Sequence, residues 1–210
     1  MPPGWHFGAA LLFTGGVVVG ARLWFSTLQR VWPTGDATLE GIQFGSFLLV
    51  LGAVLAWVWE GDVGLRVGNT FQRWREVVAI GLVLSIVTWA FVVLTASNVY
   101  SEADPLFELV LVPAGEELVF RGVLVGWLLA GLTNGRPAPA AARLAIIVSA
   151  VAFGAGHASN ALFGAGDFAI VQVVAATVLG LIFGWLRIET RSIIAPILLH
   201  GLVNGVNLLG

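Results

Sequence analysis

Seven stretches of about 20 mostly apolar residues dominate this chain, near 6–25, 41–60, 77–98, 105–130, 139–158, 167–187 and 191–209. Each has the length an α-helix needs to cross the hydrocarbon core of a bilayer. The links between them are polar or rich in Gly and Pro, as in "STLQRVWPTGDATLE", "EGDVGLRVGNTFQRWRE", "SNVYSEADP" and "TNGRPAPAA". The predicted fold is therefore all-α, a polytopic transmembrane helical bundle of about seven spanning helices. Charged residues make up only 10% of the 210, against the ~25% usual in a soluble domain. The N-terminus lacks a basic leader and reads as the start of the first span rather than a cleaved signal peptide. The very short "RIETR" link makes the last two helices antiparallel neighbours.

Several function classes drop out. With no cysteine, disulfides and thiolate chemistry are excluded. A net charge of −2 gives no footing for nucleic acid, so the expected partners are the lipid bilayer and a membrane-associated peptide or protein. Arg66, Arg73, Arg75, Arg136, Arg143, Arg187 and Arg191 fall in even-numbered links, and only Arg22 and Arg30 lie on the opposite side. The positive-inside rule then puts the N-terminus in the cytoplasm of a plasma-membrane protein. Small-xxx-small pairs, Gly16/Gly20, Gly122/Gly126, Gly180/Gly184 and Gly201/Gly205, mark faces where helices can approach closely.

Against this background the segment "PAGEELVFRG", residues 113–122, is anomalous. Ionisable residues inside a membrane are costly and tend to be functional. Glu117 and Arg121 are spaced i,i+4 and can pair along one helix face. Glu116 points about 100° away and is left as the free carboxylate. An unneutralised carboxylate in apolar surroundings suits a general base. Pro113, three residues upstream, frees a backbone carbonyl one turn earlier. Two further elements are polar in the same sparing way. "FGAGH" places Phe153 and His157 on one face near a helix end. "HGLVNGVN" aligns His200, Asn204 and Asn207 at i, i+4 and i+7. The remaining histidine, His6, is in the N-terminal lead.

One Glu, two His and an Asn on three helices make a hydrolytic set. Glu and His can activate a water, and His with an Asn amide can stabilise an oxyanion. The same Glu116, His157 and His200 could instead ligate a divalent metal such as zinc. A proton- or ion-coupled transporter would also use intramembrane ionisable groups, although no inverted repeat stands out. A non-catalytic membrane partner, of the immunity or scaffold kind, would use the Gly-rich faces alone.

The motifs E-E-x-x-x-R, F-x-x-x-H and H-x-x-x-N, in this order on three apolar helices, resemble those of the CPBP family. This group comprises CAAX proteases and bacteriocin-processing or immunity proteins, also called Abi or type II CAAX prenyl endopeptidase-like. The resemblance covers Glu116 to Asn204, less than half of the chain. It implies an intramembrane protease with N-terminal transmembrane helices over 1–104 and a catalytic helical core over 105–210, within one integral membrane domain. By position, Glu116 and His157 would activate water, and His200 and Asn204 would form the oxyanion site. Glu117, Arg121 and Phe153 would support them. The substrate would be membrane-associated, either prenylated or a peptide precursor. Members are described both as metalloproteases and as glutamate-dependent enzymes, and the metal-independent form is preferred here. Glu116, His157 and Asn204 all fall toward one end of their helices, the end that the Arg distribution places outside.

Overall fold

The computed structural model describes residues 3–31, 37–59, 61–95, 105–133, 139–158 and 168–208. Among them the regular structure is entirely helical. The helices are α1 (Pro3–Val31), α2 (Ala37–Val58), α3 (Trp74–Thr95), α4 (residues 107–133), α5 (Pro139–His157), α6 (Phe168–Thr190) and α7 (Ile194–Asn207). They coincide with the seven apolar stretches to within a few residues. Among the described residues three helical segments are long and apolar enough to cross a membrane by themselves, Trp74–Leu94, Pro139–His157 and Ile170–Thr190. The expected all-α bundle is thus present, as seven helices among the described residues. The 14 residues of α7 reach about 21 Å, short of the ~30 Å hydrocarbon layer. Helix α4 carries Glu108, Glu116, Glu117 and Arg121 in its own body.

Helix α4 is the axis of the molecule. Helix α2 packs along it, α7 lies against its first half, and α5 and α6 form the most extensive pair. Helix α1 rests on α2 and α5, and α3 rests on α7. The link from α6 to α7 is only residues 191–193, so the two are packed neighbours as expected. One core cluster joins α4 and α5 through Val119, Phe120, Leu124, Val148, Ala152 and Phe153. A second joins α3, α6 and α7 through Val77, Leu84, Phe183, Leu186, Leu199 and Val203.

Helix α4 is also irregular. Residues Phe107–Leu111 and Leu118–Leu124 are π-helical, and Val112–Glu117 between them is α-helical. A π turn bonds i to i+5 and so takes up an extra residue, a device often found at functional sites. In the first π turn the Val112 N–H reaches back to the Phe107 carbonyl. The next N–H in that register would serve Glu108, but residue 113 is proline and has none.

The glycine pairs divide. A Cβ on Gly180 would lie 2.9 Å from the Ala150 Cα, and one on Gly126 2.7 Å from the Asp62 carbonyl. One on Gly201 would collide with the Leu109 carbonyl, whereas one on Gly16 meets nothing within 4 Å. Backbone atoms cannot step aside as side-chain ends do. Gly180→Ala is therefore expected to cost about 1–3 kcal/mol through overpacking. Gly16→Ala should stay within ~0.5 kcal/mol of wild type. Thermal unfolding in detergent would compare them, and equal midpoints would disprove the close α5–α6 approach.

Candidate active site

A cavity of about 570 Å³ opens where all seven helices contribute wall. Glu116, His157, His200 and Asn204, predicted from three separate motifs, all line it. Glu108 lines it as well. The rest of the wall is mostly apolar and includes Val17, Val87, Phe91 and Ala176.

Two carboxylates on α4 have different surroundings. Glu117 and Arg121 are both 0% exposed, and Arg121 Nη1 donates to Glu117 Oε1 across 3.0 Å. The expected pair is therefore present, but Glu117 does more than neutralise. Its Oε1 also lies 2.9 Å from His200 Nδ1. A carboxylate oxygen only accepts, so Nδ1 carries a proton. His200 Nε2 then faces Glu116 Oε2 at 3.7 Å. That Glu116 oxygen is buried and has no hydrogen-bond partner in the protein. Buried polar atoms are normally satisfied, so an orphaned carboxylate oxygen in a cavity calls for a functional explanation.

His157 is the last residue of α5, where helix carbonyls lose their partners. Its Nδ1 donates to the Phe153 carbonyl at 3.0 Å. In the neutral ring this leaves Nε2 as an acceptor. Phe153 organises the aromatic side of the site. Its ring carries the Arg121 guanidinium at 4.1 Å and meets His157 edge-on at 4.8 Å. Phe183 of α6 stacks on His200 at 5.5 Å. No motif pointed to Phe183.

Asn204 answers the backbone break made by Pro113. Its Nδ2 donates to the Glu108 carbonyl at 3.1 Å and to Glu108 Oε2 at 3.2 Å. The first bond satisfies the carbonyl that the proline leaves without an N–H. Gly201, one turn earlier on α7, lets that helix close against the neighbouring Leu109 carbonyl. Sequence reasoning anticipated a freed carbonyl but missed Glu108 as a site residue. Its signal was a carboxylate eight residues before Glu116 in the same apolar run. The side chain of Asn207 and that of His6 lie outside the described residues.

A metal would need three ligands spaced around one ion. Among the described residues no group of three His, Asp or Glu side chains has that spacing. No step below runs through a metal.

The family model for type II CAAX prenyl endopeptidase, Rce1-like, matches residues 101–206. No curated protein and no solved structure matches the chain. Cavity residues such as Val17 and Arg22 of α1 and Val87 and Phe91 of α3 lie outside the matched region.

Proposed function

The chain belongs to the type II CAAX prenyl endopeptidase Rce1-like family, and from that premise we propose that it hydrolyses a peptide bond of a membrane-associated substrate, with Glu116 as the general base. The observation that carries this reading is the buried, unpartnered Glu116 Oε2 facing His200 Nε2 in a cavity shared with His157. Glu116 takes one proton from a water while His157 Nε2 accepts a hydrogen bond from the other. The water oxygen bonds to the scissile carbonyl carbon. The resulting oxyanion is met by the Asn204 amide and, once His200 Nε2 carries a proton, by that N–H, while Nδ1–H stays on Glu117. As the C–N bond breaks, Glu116 returns its proton to the leaving amine.

Asn204 joins the oxyanion contact with one of its two Nδ2 hydrogens. The other stays on the Glu108 carbonyl, so the amide remains in place while the Glu108 Oε2 bond, the longer of the two, is exchanged. The apolar wall suits a substrate delivered from the bilayer, prenylated or a hydrophobic peptide precursor.

The test uses purified protein in liposomes with membrane-tethered peptides, prenylated and not, and mass spectrometry of the products. Wild type should release a defined fragment. His157→Phe should lower the rate about 10²-fold or more and leave the unfolding midpoint nearly unchanged. No cleavage of any tethered peptide by wild type, or full activity in His157→Phe, would refute the assignment.

A further inference from the structure

At the far end of α6 the link between α2 and α3 is clasped to the link between α6 and α7. The Asn69 N–H donates to the Thr190 carbonyl at 2.7 Å, and the Ile193 N–H donates to the Gly64 carbonyl at 2.9 Å. Arg66 lies between the two clasp points on one strand of chain, and Arg191 lies between them on the other. Both are exposed. Gly68, at φ +54°, is what allows this closeness, because a Cβ there would collide with the Thr190 carbonyl. Arg191 itself has φ 55°, the only non-glycine residue in that region among those described. An arginine held in a left-handed conformation is a strained placement that points to use.

The described acids of this end already have partners. Glu76 and Glu189 both pair with Arg73, and Asp62 lies against Arg187. No described acid pairs with Arg66 or Arg191. Around them Leu65, Val67, Phe71 and Trp74 are exposed, Phe71 by 75% and Trp74 by 54%. Apolar and aromatic side chains interleaved with arginines suit the headgroup layer, where rings sit among the lipid carbonyls and guanidinium groups meet phosphates. Two arginines on clasped stretches of backbone can turn their N–H donors toward one phosphate. We propose that Arg66 and Arg191 form a binding site for the phosphodiester of an anionic phospholipid, with Phe71 and Trp74 inserted beside its acyl chains. This site is separate from the cavity and does not depend on the enzymatic reading.

The experiment uses the full chain in nanodiscs of phosphatidylcholine, with or without phosphatidylglycerol, and follows thermal unfolding and lipid retained in native mass spectrometry. Phosphatidylglycerol should raise the midpoint by several degrees and remain bound, because a ligand of the folded state stabilises it by mass action. Arg66→Gln and Arg191→Gln should each remove most of that shift. Arg75→Gln, which deletes one neighbouring charge, should keep it. Arg191→Gly relieves the strained backbone while removing the cation. It should be at least as stable as wild type in phosphatidylcholine, yet lose the response to phosphatidylglycerol. Equal loss in Arg75→Gln would mean diffuse attraction and overturn the site. An equal shift from inorganic phosphate in phosphatidylcholine discs would overturn the lipid assignment, as would a full response in Arg191→Gly.

Discussion

Glu116→Gln is expected to lower the cleavage rate by about 10²- to 10⁴-fold, the range for loss of a general base, while the protein stays folded in the membrane. The two side chains have the same shape. Glu116 Oε2 makes no hydrogen bond in the protein, so the replacement breaks none there. It also removes a buried charge whose cost no direct hydrogen bond offsets. The unfolding midpoint should therefore hold or rise while activity falls, the trade-off expected where a functional group sits against its own stability. Were Glu116 a structural ion-pair member instead, the midpoint would drop and residual activity would follow the folded fraction. A variant that cleaves at the wild-type rate would remove Glu116 from the mechanism. Rate per folded molecule, with the folded fraction measured separately, distinguishes these outcomes.

The helices were legible because length and apolarity alone set them, and their ends fell where Pro, Gly and charged residues gather. The cavity residues were legible for a different reason. Glu116, His157, His200 and Asn204 are polar groups in runs where polarity is costly, and their i,i+4 spacings show which share a face. Glu108 has the same cost but escaped notice. On a regular helix, eight residues bring it to about 80° from Glu116, which suggests another face. The π turns shift that relation, and they depend on Pro113 and on the amide of Asn204 supplied by a distant helix. Such a turn has no local pattern to read. Phe183 was equally silent, because an apolar residue among apolar residues shows its rotation toward His200 only after α6 has packed. The Glu117–Arg121 pair was read correctly from spacing, yet spacing along one helix could not reveal that Glu117 also holds a histidine from α7.

That double duty leads to an experiment in which stability and activity separate. Arg121→Ala leaves the Glu117 carboxylate at 0% exposure with His200 as its remaining partner. It also empties the place of a guanidinium packed 4.1 Å from the Phe153 ring. Breaking a buried pair in this way costs about 3–5 kcal/mol, enough to unfold much of a marginal protein. Glu117→Leu with Arg121→Met removes both charges and keeps the volume. Such replacements of buried pairs are often neutral or stabilising, so the double variant should unfold within ~1 kcal/mol of wild type or later. Its activity should nevertheless be lost. Nδ1 of His200 would have no acceptor, and the ring would be free to turn Nε2 away from Glu116. Losing a carboxylate that fixes a catalytic imidazole's tautomer can lower the rate up to about 10⁴-fold. Glu117→Gln with Arg121→Met supplies an amide oxygen at the same place and should recover part of that rate at similar stability. Wild-type activity in the Leu/Met variant would show that Glu117 serves only the fold. A Glu117→Gln/Arg121→Met variant as stable as the Leu/Met one yet no more active would show that His200 needs the charge of Glu117 as well as its geometry.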